Sequence, residues 1–290
     1  DNSNSNDNNN SNNNTEMKHM DEGLLCNNVN ESLDYILHGK ILHKLVSRLQ
    51  LNVINIDSIN DSYLKREIGN KMVILEKITP FLNEHGLQHL KSDENKSNTL
   101  QALLKTLDIC GIILRHYKTI LMNNNHDNTF IQNTALISLK ILTNISNKKA
   151  INLKIETLHS LFYLLIYFNK YHNQKYLIKG LRTNTVDYKS MKLPYKFQCL
   201  CIGIIINYIE NNKKSRLDFH THNISEGNCA TNFLVYAVGQ FIMFYNFIHA
   251  CENQYNSNGN NNDQICMILM ECKTLQYYFS LFIGFLLQSK

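Results

Sequence analysis

Tryptophan is absent from the 290 residues, proline occurs twice and glycine only 11 times. So few helix breakers argue against a turn-rich β fold and favour long helices. Asparagine takes over the punctuation, in runs at 8–10, 123–125 and 260–262. Its side chain caps helix ends and its backbone tolerates left-handed geometry, although such runs are also plain low-complexity insertions. The 8 cysteines include no C-x-x-C pair. Cys110, Cys201, Cys266 and Cys272 lie in apolar runs and read as small buried hydrophobes in a reducing compartment. A net charge of +5 falls short of a nucleic-acid-binding footprint. No secretory signal opens the chain, which starts at Asp1 without Met and is expected to be part of something longer.

Residues 1–28 form an Asn/Ser tail with too little apolar content to offset the entropy of ordering, and are expected to be disordered. Residues 29–290 read as one helical domain, expected to continue beyond Lys290, with Asn-rich loops near 123–128 and 252–263. A first helix is expected near 31–50, with Ile41, Leu45 and Leu49 on its stripe. A second, capped by Asp61 or Ser62, carries Ile68, Met72, Leu75 and Ile78 and ends about Pro80. Thr99 is expected to cap a third, whose stripe runs Leu100, Leu103, Leu104, Leu107, Cys110, Leu114, Tyr117 and Leu121. Helices at 129–145 and 153–169 follow, then a polar loop at 171–192.

The next segment, 199–216, sets Leu200, Cys201, Ile204, Ile205, Tyr208 and Ile209 on one face. Pro194 is expected just ahead of it or in its first turn. Asn211 and Asn212 stop it, and Lys213, Lys214 and Arg216 follow where cations suit the negative end of its dipole. A polar loop at 217–228 and helices at 230–251 and from 264 to 288 complete the chain. No period-2 alternation is long enough to argue a sheet.

Several chemical readings fail on spacing. Residues 227–251 carry no formal charge and 233–250 is long enough to span a bilayer, but Gln240, Asn246 and His249 interrupt it and no basic cluster flanks it. His220, His222 and Cys229 lack the second close pair that a structural zinc site takes, and Gly86 weakens the helix that would align His85 with His89. Ser215, Asp218 and His220 crowd into one short loop with no elbow to present a nucleophile. No glycine-rich phosphate loop is present. The reading is therefore not an enzyme, with no cofactor, metal or small-molecule substrate.

Two segments echo each other, Ile141-Leu-Thr-Asn-Ile-Ser-Asn-Lys-Lys149 and Ile205-Ile-Asn-Tyr-Ile-Glu-Asn-Asn-Lys-Lys214. Each has an Asn in the last apolar turn, a polar stop and paired lysines. Such an echo favours an all-α, HEAT/armadillo-like α-solenoid of antiparallel helix pairs over a closed bundle. Lys148, Lys149, Lys213, Lys214 and Arg216 serve dipole complement and solubility, or form a basic ridge for an acidic partner or DNA phosphate.

Gly203-Ile-Ile-Ile-Asn-Tyr-Ile-Glu-Asn-Asn-Lys-Lys-Ser-Arg216 resembles the segment that wings-apart-like (Wapl) cohesin-release proteins write as G-L-L-I-N-L-V-E-x-S-x-x-N-R, matching at Gly203, Ile206, Asn207, Glu210 and Arg216. Leu139-Lys-Ile-Leu-Thr-Asn144 resembles that family's L-L-N-L-T-N. Tyr278-Phe-Ser-Leu-Phe-Ile-Gly-Phe-Leu-Leu-Gln288 resembles its Y-T-A-L-L-L-G-C-L-x-Q, and Tyr63-Leu-Lys-Arg-Glu67 its W-F-K-E-E. The blocks keep the family's order over about 60–290. The family's Gly-Ser-Thr-x-Thr-Gly stretch is replaced here by Ser146-Asn-Lys-Lys149, and its acidic insertion by an Asn-rich loop.

The resemblance implies a HEAT-repeat scaffold in the nucleus that binds cohesin and promotes its release from chromatin. Its partners would be the SMC and kleisin subunits and a HEAT-repeat cohesin-associated regulator, with DNA contact left open. Candidate contact residues are Asn144, Lys148, Lys149, Asn207, Glu210, Lys213, Lys214 and Arg216. For Asn144 and Asn207 the competing expectation is hydrogen bonding to backbone between repeats. The rival readings are a generic adaptor for extended peptides, a polytopic membrane protein on 233–250 and 275–287, and a metal-dependent hydrolase.

Overall fold

Apolar residues three and four apart organise nearly every segment of this chain. The computed structural model describes residues 40–49, 53, 62–81, 93–123, 128–146, 152–170, 188–210, 212–221, 223–226, 229–258 and 263–288. The fold is all-α in class. Its helices are α1 (40–49), α2 (Ser62–Ile78), α3 (Asp93–Met122), α4 (Thr129–Ser146), α5 (Ile155–Phe168), α6 (Tyr188–Glu210), α7 (Lys213–Thr221), α8 (Phe233–Asn258) and α9 (Asp263–Leu287). The expected tail at 1–28, His85, His89, Lys148, Lys149 and His222 lie outside the described residues.

Asparagine does punctuate the helices, as N-caps. The Asn128 Oδ1 accepts from the Ile131 N–H at 3.1 Å to start α4. Asn212 does the same for Ser215 at 3.1 Å in α7, and Asn232 for Leu234 at 2.8 Å in α8. Each satisfies one of the amide groups that a helix start leaves without an internal partner.

Several boundaries differ from the sequence expectation. Thr99 does not cap α3, which begins at Asp93; Thr99 is a buried residue in its second turn. Leu100 and Leu104 face solvent, because Ala102, Thr106, Ile109 and Ile113 are buried and turn the covered side of α3 away from them. In α1, Leu42, Val46 and Leu49 are buried and Ile41 is exposed. Pro194 lies in the second turn of α6, which starts at Tyr188. Proline lacks the N–H that would reach back four residues, so α6 forgoes one internal bond there.

The helix expected to stop at Asn211 and Asn212 ends just before them, and a second helix follows at once. α6 stops at Glu210 and α7 starts at Lys213, so Lys213 and Lys214 head a new helix instead of trailing an old one. The expected loop at 217–228 holds the rest of α7 and strand β1 (Asn223–Glu226), which pairs antiparallel with β2 (Cys229–Asn232). Four residues per strand are too few for alternation to be read. The register joins Glu226 to Cys229. α8 continues to Asn258, through half of the expected Asn-rich loop.

The packing follows the covered faces. α4 packs on α2, α6 on α4, and α9 on α6. α3 lies on α4 and α5, α5 on α6, and α8 on α9, while α7 touches α6, α8 and α9. One core cluster runs from Leu42 to Leu286. Phe162, Phe219, Phe233 and Phe282 join α5, α7, α8 and α9 in ring contacts 3.8 to 6.5 Å between centroids. Cys110, Cys201 and Cys272 are buried in this core; Cys266, expected there, is exposed near the start of α9. Among the described residues one helical stretch, Phe233–Asn253, is long and apolar enough to cross a membrane.

Candidate interaction ridge at the helix ends

The last turn of α4 ends in Thr-Asn-Ile-Ser, and that of α6 contains Asn207. Both amides reach across to a hydroxyl on the neighbouring helix end. The Asn144 Nδ2 donates to the Thr79 Oγ1 at 3.3 Å, in the 3-10 turn that closes α2. The Asn207 Nδ2 donates to the Ser146 Oγ at 3.0 Å, at the close of α4.

Each hydroxyl then donates to the carbonyl three residues back on its own helix: Thr79 to Glu76 at 3.2 Å, Ser146 to Thr143 at 3.3 Å. A hydroxyl both gives and accepts, so one side chain can hold a neighbour's amide and satisfy a helix-end carbonyl together. Asn144 and Asn207 thus reach the neighbouring helix's backbone through a hydroxyl side chain. The same relay occurs twice, along α2, α4 and α6, and joins their C-terminal ends. Lys140 adds an ion pair from α4 to Glu76 of α2 at 2.8 Å.

At the close of α6, the Arg216 Nη1 donates to the carbonyls of Ile209 at 2.8 Å and Glu210 at 2.9 Å. The guanidinium therefore covers the negative end of the α6 dipole from the first turns of α7. Glu210 and Lys213 are exposed beside it. Lys213 sits at the positive end of α7, where the dipole does not favour it. Of the candidates, Asn207, Glu210, Lys213 and Arg216 come together around one helix end, and Asn144 lies one helix away.

Sequence reasoning missed Thr79 and Ser146, the acceptors of the relay. Their signal was a hydroxyl residue next to a helix stop. It also missed a polar node between α5 and α8. There the buried Asn169 donates to the Tyr236 Oη at 3.2 Å and to the Gln240 Oε1. Gln240 reads in sequence as an interruption of an apolar run, whereas it is the buried partner of Asn169.

Chemically the ridge offers amides, one carboxylate and cations at solvent-facing helix ends, groups that bind and orient. Among the described residues no group of three or more His, Cys, Asp or Glu is placed to hold a metal. Compared with protein-family models, curated proteins and solved structures, the chain matches none of them.

Proposed function

We propose that this chain is a non-enzymatic protein-interaction scaffold, a HEAT-like α-solenoid of antiparallel helix pairs resembling Wapl. It binds the SMC and kleisin subunits of cohesin in the nucleus, together with a HEAT-repeat co-regulator, and promotes release of cohesin from chromatin. The observation that carries the reading is the relay from Asn144 to Thr79 and from Asn207 to Ser146, one bond repeated at successive helix ends. The stacking of α2, α4, α6 and α9, with α3, α5 and α8 beside them, supports it. So do the Asn-bearing blocks that resemble the family, which include both relay asparagines.

A scaffold of this kind acts by binding one state of its target more tightly than another. The ridge of Asn144, Asn207, Glu210, Lys213 and Arg216, with Lys148, Lys149 and Lys214 in sequence beside it, is the proposed contact. The test is capture of proteins from nuclear extract with the tagged 290-residue chain. Enrichment of SMC and kleisin subunits, lost in Lys213→Glu/Lys214→Glu with helical content intact, supports the proposal. No enrichment rejects the cohesin assignment and leaves the generic adaptor.

A further inference from the structure

Helix α1 gives its apolar side to the core and leaves its charge on the open side. Leu42, Val46 and Leu49 are buried, while Lys40, His43, Lys44, Ser47 and Arg48 are exposed. Lys40, Lys44 and Arg48 stand four residues apart, so they share one ridge of the helix. At about 1.5 Å of rise per residue the row is ~12 Å long. No Asp or Glu occurs from Tyr35 to Ile56. Elsewhere lysines find partners: Lys71 pairs with Glu67, Lys140 with Glu76, Lys154 with Asp108 and Lys273 with Glu252. Among the described residues the three cations of α1 meet no carboxylate. A net charge of +5 is modest when spread over the chain, but here three positive charges lie unopposed on one ridge.

We propose that this row docks on the phosphate backbone of duplex DNA, without reading its sequence. Each strand of a duplex carries a phosphate every ~3.4 Å along the axis, so the row covers about three or four of them. Cations set against phosphates fix position and carry no base information.

The same face argues against the other polyanions. A membrane takes a basic helix by its apolar side, and in α1 that side is in the core; of its large apolar residues only Ile41, in the first turn, is exposed. Protein interfaces centre on aromatic anchors and single strands stack their bases on aromatic rings, yet α1 holds no Phe, Tyr or Trp. An RNA duplex is met through its 2′-hydroxyls as well as its phosphates. The one hydroxyl on this face, that of Ser47, already donates to the His43 carbonyl at 2.8 Å.

Fluorescence anisotropy of a labelled DNA duplex of about 20 base pairs with the 290-residue chain, at about 50 and 200 mM salt, tests this. Binding is expected, and it should weaken with salt. Lys40→Gln/Lys44→Gln/Arg48→Gln should flatten the slope of log affinity against log salt by about 2.7, at about 0.9 per phosphate contact, with unchanged helical circular dichroism. At the lower salt it should bind about tenfold more weakly or worse. Lys44→Gln alone should flatten the slope by about 0.9. Lys77→Gln/Lys192→Gln/Lys196→Gln removes the same charge from exposed positions on α2 and α6 and should leave the slope as it is. No binding by the wild type at about 100 μM in the lower salt overturns the proposal, as does equal loss in the two triple variants. Tighter binding to poly-glutamate overturns it in favour of an acidic protein, and tighter binding to duplex RNA in favour of RNA. Flotation with phosphatidylcholine/phosphatidylserine vesicles in the absence of DNA binding overturns it in favour of a lipid surface.

Discussion

The Asn207 amide donates to the Ser146 hydroxyl at 3.0 Å, so the end of α6 is tied to the end of α4. Ser146 in turn holds the Thr143 carbonyl at 3.3 Å, and the bond from Asn144 to Thr79 reproduces the arrangement one helix earlier. Both links lie at the rim of the core, where a lost bond is felt as a loosened helix end.

Replacing Asn207 by Ala should therefore cost about 1 kcal/mol, and Ser146→Ala a similar amount. In the double variant the costs should overlap, leaving a coupling of about 0.5–1.5 kcal/mol in urea unfolding. Simple addition would mean that the two side chains do not interact. Asn144→Ala with Thr79→Ala should give a second, independent cycle, since the two relays share no side chain.

Arg216 joins a charge to a specific geometry, and the two can be separated. Arg216→Lys keeps the cation but loses the planar group that serves the Ile209 and Glu210 carbonyls, and should cost about 0.5–1.5 kcal/mol. Arg216→Gln should cost more, and its excess over Arg216→Lys should shrink in about 1 M salt as the dipole interaction is screened. An excess insensitive to salt would remove the dipole from the explanation.

Gly111 is held to its size by α5. A methyl group added there would lie 2.5 Å from the Thr157 Oγ1, and Thr157 is buried. Gly111→Ala should destabilise by about 1–3 kcal/mol despite alanine's better helix propensity. Adding Thr157→Ala should recover part of the loss, read as the urea midpoint. A stabilised Gly111→Ala would mean that α3 and α5 do not approach so closely.

Burial pushes the Cys110 thiol from 9.0 up to about 12, against a smaller opposing effect of its bond with Ser138. The folded state thus holds the proton more tightly than the unfolded chain. The contribution is complete below the unfolded value and is lost as pH rises towards the folded one. Between pH 9.0 and about 12 the loss from this group approaches about 1.4 kcal/mol per pH unit. Urea unfolding should lose less stability across that window in Cys110→Ala than in wild type. Equal pH slopes would show that Cys110 is not sequestered.

Much of this fold was legible because helices are local. Ile68, Met72, Leu75 and Ile78 announce α2 by spacing alone, and all four are buried. Asparagine's role as punctuation was legible too, but not which Asn would cap: Asn212 and Asn232 start helices, whereas Asn144 and Asn207 bind hydroxyls on other helices. The candidate ridge was half visible. The echo of two Asn-bearing turns exposed the donors, while Thr79 lies 65 residues from its partner Asn144, and a hydroxyl beside a helix stop does not say which amide it will take.

By itself, then, the amino-acid order decided that the chain is helical: few breakers and a 3.6-residue apolar period leave no cheaper way to bury its side chains. Tertiary structure decided which face of each helix is covered. α3 turned Leu100 and Leu104 outward because α4 and α5 together cover its other sides, and α8 kept Val235, Val238 and Ile242 in water because α9 covers the opposite face. Two apolar faces on one helix look alike along the chain. Only the position of a neighbour tells the buried face from the open one.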